Sequence, residues 1–280
     1  MVKIITDTTS GIPAEIARKY NIPVIPQIIN FGNDSYVENE TIDNATFMRM
    51  LKTSSELPKT AAPAPERFTR EFARLAPSGE PIICIHPSTE VSGTVRSALV
   101  AAKEFPDLDI RVIDTRLVAS PLATLVELAA QWAEQGLDAD TIESRVRSMI
   151  PRCRIYVMVD TMEFLAKGGR IGGATALLGS VLQIKPILTF RNGRVEPFEK
   201  ERTHRRAVAR IKELVLTQYP RNQDGYLSVI HAAVPQEAGE IAADLRAQLN
   251  LKEVPILDVP PAIATHAGPG LLGVAFFVSE

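Results

Sequence analysis

The stretch that decides the fold is 81-PIICIHPSTEVSGTVRSALVAAKEFPDLDIRVIDT-115. Two apolar, Ile-rich runs, PIICIH and IRVIDT, enclose a segment with helical apolar spacing, SGTVRSALVAAKEF. Continuous apolar runs, as opposed to alternating ones, belong to strands buried on both faces. A helix between two such strands is the crossover that makes them parallel.

The same rhythm extends outward through the first half. KIIT is a short apolar run, followed by the turn DTTSGIP and a helix PAEIARKY, with Pro13 at its first turn. IPVIPQIINF carries two prolines, so an irregular or edge strand is expected. DNATFMRMLK and RFTREFARLA read as helices, and the Pro- and Ala-rich SSELPKTAAPAPE between them as a loop. LATLVELAAQWAEQG reads as a long helix ending at Gly136, and DADTIESRVRSMIP as another that stops before Pro151.

Past Pro151 the pattern changes. RIYVMVD is a strand, TMEFLAKGG a short helix and ATALLGSVL a second one. Asn192-Gly193, between the strand-like KPILTFR and RVEPFEK, signals a two-residue type I′ hairpin, which needs positive φ at both positions. Two helices, HRRAVARIKELVLTQY and QEAGEIAADLRAQL, alternate with the strands GYLSVIHAA, VPILDV and GVAFFVS. The expected fold is α/β in two domains, residues 1–151 with a mostly parallel sheet and residues 152–280 with a mixed one.

Composition excludes several functions. A formal net charge of -2 gives no basic excess for nucleic acid or an anionic membrane. Cys84 and Cys153, both in apolar surroundings, are expected to be core residues and fit a reducing compartment. No Cys/His spacing suggests a metal. Neither a signal-peptide apolar region nor a run near the ~20 residues of a membrane span occurs, so a cytoplasmic location is expected. No cofactor is expected: Walker A and G-x-G-x-x-G patterns are both missing.

Three segments carry candidate chemistry. In PSTEVSGTVRSA, Ser88, Thr89, Ser92 and Thr94 arrive with Gly93 at a helix start, where free N–H groups attract an anion; simple helix capping is the competing reading. In LPKTAAPAP, Thr60 is the polar donor of an otherwise small, apolar loop past Lys59. In THAGPGLLGV, His266 precedes a rigid Gly-Pro-Gly turn, where an imidazole can donate to an anionic oxygen. His86, His204 and His231 read as structural or surface residues. A Ser92/His266 acyl hydrolase stays open as an alternative, although G-x-S-x-G is missing around Ser92.

EFLAKGGRIGGATALLG places four glycines around Arg170. Gly168 is expected to stop one helix and Gly172-Gly173 to start the next, with Asp160 capping the helix before them. Arg170 is left between helices, exposed and suited to contact another molecule.

Together these segments resemble the DegV family of bacterial fatty-acid-binding proteins. ITDTTSGIP resembles its D-S-T-x-D-L-P opening, and PSTEVSGTVRSA its S-S-x-L-S-G-T-Y-x-S-A segment. DTMEFLAKGGRIG resembles D-T-L-x-Y-L-x-K-G-G-R-I, and HAGPGLLGV resembles H-x-G-P-G-x-L-G-V. The resemblance spans the whole chain. It implies two α/β domains with a long-chain fatty acid between them, and no enzymatic activity in this chain. The binding protein would present the fatty-acid carboxylate to a separate fatty-acid kinase, which forms the acyl phosphate. Thr60, Ser92 and His266 would hydrogen-bond the carboxylate, with Ser88, Thr89, Gly93 and Thr94 as neighbours and Arg170 on the kinase-docking surface. The family's T-S-Q-P loop reads Thr60-Ala61-Ala62-Pro63 here, and its Tyr after S-G-T is Val95. The first change leaves a carrier of a different apolar carboxylic acid as a further alternative.

Overall fold

The computed structural model describes residues 1–54, 56–177, 184–220 and 224–279. The chain opens with β1 (Lys3–Asp7), α1 (Ala14–Lys19), β2 (Val24–Ile25), β3 (Ile28–Phe31) and β4 (Asp34–Val37). Then follow α2 (Asn44–Thr53), β5 (Lys59–Ala61), α3 (Pro65–Leu75), β6 (Ile82–His86), α4 (Thr94–Ala102) and β7 (Ile110–Asp114). Two helices, α5 (Ser120–Glu134) and α6 (Ala139–Met149), lead into β8 (Cys153–Met158) and α7 (Glu163–Lys167). The remainder is β9 (Lys185–Arg191), β10 (Arg194–Glu201), α8 (His204–Gln218), β11 (Ser228–His231), α9 (Pro235–Leu249), β12 (Ile256–Asp258), α10 (Pro261–Ala267) and β13 (Leu272–Phe277).

The strands form three sheets. The first, in order β2-β1-β6-β7, is parallel throughout. The second, β10-β9-β8-β13-β11-β12, is antiparallel except for the β11–β12 pair. A small antiparallel sheet, β4-β3-β5, stands beside them. The fold is therefore α/β with a parallel first sheet and a mixed second sheet.

Alternation along β8 shows how the layers stack. Tyr156 and Met158 face α8 and α9, packing with Ile211, Leu214, Val229 and Leu245. Ile155 faces the opposite way, into a core with Leu122, Leu125 and Val126 of α5 and Ile83, Ile85 and Ile113 of the parallel sheet. α5 is thus clasped between the two large sheets, which accounts for its many apolar residues. Phe68 and Phe72 of α3 cover the outer face of the parallel sheet with Ala98 and Ala101 of α4. Ile29 of the small sheet and Phe47 and Leu51 of α2 pack with Leu165, Leu188 and Leu271. The small sheet therefore rests against the second half of the chain, although its own residues come from the first.

Several local expectations are corrected. SSELPKTAAPAPE is not all loop: Lys59–Ala61 pair with β3, Thr60 opposite Ile29. The prolines at 58, 63 and 65 flank these residues, leaving their N–H groups free to pair at a sheet edge. IPVIPQIINF is two strands, and the chain passes from the parallel sheet to the small one between Ile25 and Ile28. Asp160 does not cap α7; Thr161 Oγ1 accepts the Glu163 N–H instead, at 3.2 Å. Gly172–Leu177 form a 3₁₀ segment, and the rest of the helix expected over ATALLGSVL lies outside the described residues. The Asn192-Gly193 turn has the expected positive φ at both positions, 52° and 83°. Cys84 is fully buried, and Cys153 packs at the margin of the α5 core.

Leu125→Ala removes a fully buried side chain from the layer shared by both large sheets. The expected loss is about 2–5 kcal/mol, measured by urea denaturation. Because that core joins the halves, near- and far-UV circular dichroism should report one coincident transition. Two separated transitions would contradict a shared core.

Candidate functional site

The site lies where all three sheets meet. Each polar group is delivered by the end of an element, where backbone geometry can depart from the ladder. Thr60 comes from the edge strand β5, Ser92 from the loop after β6, and His266 from the last turn of α10. His266 is thus helical, one turn before the Gly-Pro-Gly bend expected to hold it. The Ser92 loop and the Thr8–Ser10 turn after β1 both leave the carboxyl ends of parallel strands, where open α/β sheets bind their ligands.

Thr60, Ser92, His266 and Arg170 line one cavity. Thr60 Oγ1 lies 2.8 Å from His266 Nε2, while His266 Nδ1 is buried without a hydrogen-bond partner among the described residues. A buried orphan donor costs more than an orphan acceptor lone pair, so the proton belongs on Nε2, donating to Thr60. The Thr60 hydroxyl proton is then free to point into the cavity. Burial, and secondarily the charge of Arg170, lowers the His266 pKa to about 4, so the ring is neutral at pH 7.

Gly168 makes room for that ring. A Cβ there would stand 2.3 Å from His266 Nδ1, so the requirement for glycine is steric. The positive φ of 70° that follows α7 belongs to Gly169. Arg170 is half-buried, not exposed as expected, and its guanidinium spans two backbone carbonyls beside the cavity. Nε donates to Val91 O at 3.2 Å and Nη1 to Gly168 O at 2.6 Å.

Ser88, Thr89, Gly93 and Thr94 do not line the cavity. Ser88 is fully buried beneath the hairpin tip, where a Cβ on Gly193 would approach Ser88 Oγ to 2.3 Å. Thr89 donates to Asp114 Oδ2 at 2.6 Å, and Gly93 faces Ala62. Thr94 stands behind Ser92, its Oγ1 2.8 Å from Ser92 Oγ. Val95, where the family pattern has Tyr, is buried in α4 and not part of the cavity wall.

Away from these groups the wall is apolar, with Ile155, Val157, Leu188, Phe190 and Leu271 prominent. Thr9 and Gln27 also reach the cavity and went unrecognised in the sequence. Gln27 had a visible signal as the one glutamine within VIPQIINF, flanked by apolar residues. Ala119, at the start of α5, lines the cavity with a φ of 58°, a strained value for a residue with a Cβ.

Two buried histidines and a carboxylate lie outside the wall. His86 Nδ1 pairs with Asp7 Oδ2 at 2.7 Å, both fully buried, so His86 is structural as expected. His231 is buried near Asp258, and His204 pairs with Glu237 at the surface. Glu38 accepts hydrogen bonds from Thr8 Oγ1 and, at 3.1 Å, from the Ala262 N–H at the start of α10. Burial raises its pKa to about 7. No group of three or more potential metal ligands occurs among the described residues.

The chemistry suited to this arrangement is neutral hydrogen bonding at one place in an apolar cavity. Ser92 and His266 are engaged with Thr94 and Thr60, not with one another, and no carboxylate orients His266 Nδ1.

His266 should leave a signature in the pH dependence of stability. Its pKa falls from an ordinary 6.5 to about 4 on folding, so its contribution is present above pH 6.5 and lost as pH falls towards 4. Glu38 acts oppositely, its contribution being lost as pH rises from about 4.5 through 7. In wild type the two partly cancel. Substituting His266→Gln should isolate one of them: the stability difference from wild type changes in the variant's favour by up to about 3 kcal/mol between pH 6.5 and 4. Urea denaturation across that range checks it; a constant difference would mean that the ring is not held neutral.

A family model described as "Uncharacterised protein, DegV family" matches residues 1–279. A DegV domain-containing protein of Streptomyces coelicolor is 35% identical over 275 residues, covering 98% of this chain and 97% of its own. Another, of Halalkalibacterium halodurans, is 33% identical over 280 residues, with 100% and 99% covered. Among solved structures, DegV of Bacillus subtilis, a fatty acid binding protein, superposes with a TM-score of 0.91 at 31% identity, covering 99% of each chain. A fatty-acid-binding DegV family protein from Thermus thermophilus gives 0.89 at 26% identity, again over 99% of each. With the family model matched almost end to end and the same fold in these relatives, the chain belongs to the DegV family.

Proposed function

We propose that this protein is a non-enzymatic, cytoplasmic carrier that binds a long-chain fatty acid between an N-terminal domain, residues 1–151, and a C-terminal domain, residues 152–280. It presents the carboxylate to a separate fatty-acid kinase for acyl phosphate formation. The observation that carries this reading is the division of the cavity wall: neutral donors gather at Thr60, Ser92 and His266, and the remainder is largely aliphatic and aromatic.

The division matches the energetics of a fatty acid. Each methylene withdrawn from water contributes about 0.8 kcal/mol, whereas an unpartnered carboxylate costs several kcal/mol to bury. Thr60 and Ser92 offer hydroxyl protons to the carboxylate. His266 takes part through Thr60, whose oxygen accepts its Nε2 proton and whose own proton is thereby turned to the ligand. Arg170, at the same cavity and with its charge partly withdrawn from water, is the contact for the kinase. Likeness to fatty-acid-binding relatives in Bacillus subtilis and Thermus thermophilus supports the ligand class. Among the described residues no helix is long and apolar enough to cross a membrane.

Protein purified from a bacterial host and denatured for mass spectrometry should release about one fatty acid per chain. Ser92→Ala or Thr60→Ala each removes a hydrogen bond to a charged group, about 1.5–3 kcal/mol, so affinity should fall about ten- to hundredfold. Absence of lipid, or turnover of acyl esters that disappears in Ser92→Ala, would overturn the carrier reading. A different apolar acid in the spectrum would redefine the cargo.

Arg170→Ala separates docking from binding. Lipid content should be unchanged, while acyl phosphate formation with the kinase falls at least about tenfold, the scale of one lost charged contact. Equal loss of both would mean that Arg170 serves lipid binding and not docking.

A further inference from the structure

Behind Ser92 runs a line of buried polar groups that the carrier reading does not use. Asp7 Oδ1 accepts three hydrogen bonds: from Thr9 N at 3.0 Å, Thr9 Oγ1 at 2.6 Å and Gln27 Nε2 at 3.0 Å. Its other oxygen lies against His86 Nδ1. An oxygen serving three donors can only accept, which fixes the Gln27 amide with its nitrogen towards Asp7. The same Nε2 lies 2.9 Å from Thr94 Oγ1, so its second proton goes there. Thr94 Oγ1 and Ser92 Oγ are 2.8 Å apart. Sending the Thr94 proton to Ser92 is the direction that leaves no buried hydroxyl proton orphaned, because the Ser92 proton can turn to the cavity. Ser92 Oγ also accepts the Thr94 N–H at 3.3 Å. With its lone pairs occupied from behind, Ser92 has only its proton left to offer the cavity.

We propose that Gln27 and Thr94 form a directed hydrogen-bond relay, anchored on Asp7, that holds Ser92 as an obligate donor and so selects a carboxylate over a neutral head group on the same chain. Gln27 is 3% exposed and Thr94 fully buried, so water has little access with which to reverse the order of donors. A hydroxyl free to rotate serves an alcohol as well as an acid, because it can accept from the first and donate to the second. A hydroxyl held as donor can still give its proton to an alcohol oxygen, but it leaves the alcohol's own proton without an acceptor, a cost that an acceptor-only carboxylate does not carry. Thr94 is a positioning residue that acts through Ser92, and Gln27, although it also lines the cavity, enters the relay by orienting Thr94. This inference rests on the fatty-acid reading of the cavity.

The test uses delipidated full-length protein and two probes of one chain length, hexadecanoic acid and 1-hexadecanol. Thr94→Val keeps the shape of the side chain and removes the relay hydroxyl. It should weaken the acid about tenfold, as for one hydrogen bond to a charged group, and the alcohol less than about twofold. Thr94→Ser, which retains the hydroxyl, should restore acid affinity. In a Ser92→Ala background Thr94→Val should cost the acid less than about twofold, since the group through which it acts is gone. Gln27→Met, similar in length and without the donor, should show the same pattern, including loss of its effect in the Ser92→Ala background, which a direct contact of Gln27 with the ligand would not show. It carries the test if Thr94→Val does not fold. Equal weakening of acid and alcohol, or an undiminished effect in the Ser92→Ala background, would overturn the relay alone. Wild-type protein that binds neither probe would overturn the fatty-acid reading together with it.

Discussion

The hydrogen bond between Thr60 and His266 is the contact on which the site depends. It joins residues 206 positions apart, and with them the edge of the small sheet and the last turn of α10. Neither partner can reach the other unless the small sheet leaves the first half of the chain and packs against the second, as the core of Ile29, Phe47, Leu165 and Leu271 makes it do. The imidazole further requires that position 168 have no side chain. Arg170 then closes the arrangement by gripping the Val91 carbonyl in the loop that carries Ser92.

The electrostatic character of the site follows from its depth. His266 is kept neutral by burial and by the nearby charge of Arg170, which commits its Nε and Nη1 donors to backbone carbonyls. What faces the cavity there is a pair of hydroxyls backed by groups that occupy their lone pairs. Such donors stabilise an anion without the cost of desolvating a full counter-charge. Glu38, holding the Thr8 turn and the start of α10 together, shows the same economy: burial raises its pKa to about 7 while two donors bond its oxygens.

Much of the fold was legible because it rests on local patterns. Ile-rich runs around a helical segment announced the parallel sheet, and Asn192-Gly193 announced the hairpin, each through a residue type whose backbone preference is strong. Where reading failed, a distant partner had overruled the local signal. Lys59–Ala61 lie among prolines and alanines, and only β3 turns them into a strand. Asp160 has the sequence of a cap, yet Thr161 fills that role. Arg170 was expected in solvent because its neighbours are glycines; the carbonyls that hold it half-buried include one 79 residues away.

The candidate site divides along the same line. By itself the sequence determined the α/β class and the family to which its motifs belong, and it singled out Thr60, Ser92, His266 and Arg170 as candidates, because short motifs record residue types at fixed spacing. Only the tertiary structure decided how those residues are used. It set Thr60 on His266, moved Ser88 and Thr89 away from the cavity, and put Gln27 behind Ser92. The physical reason is that a hydroxyl's direction depends on which lone pairs are already filled, and the groups that fill them come from strands and helices far apart in the chain.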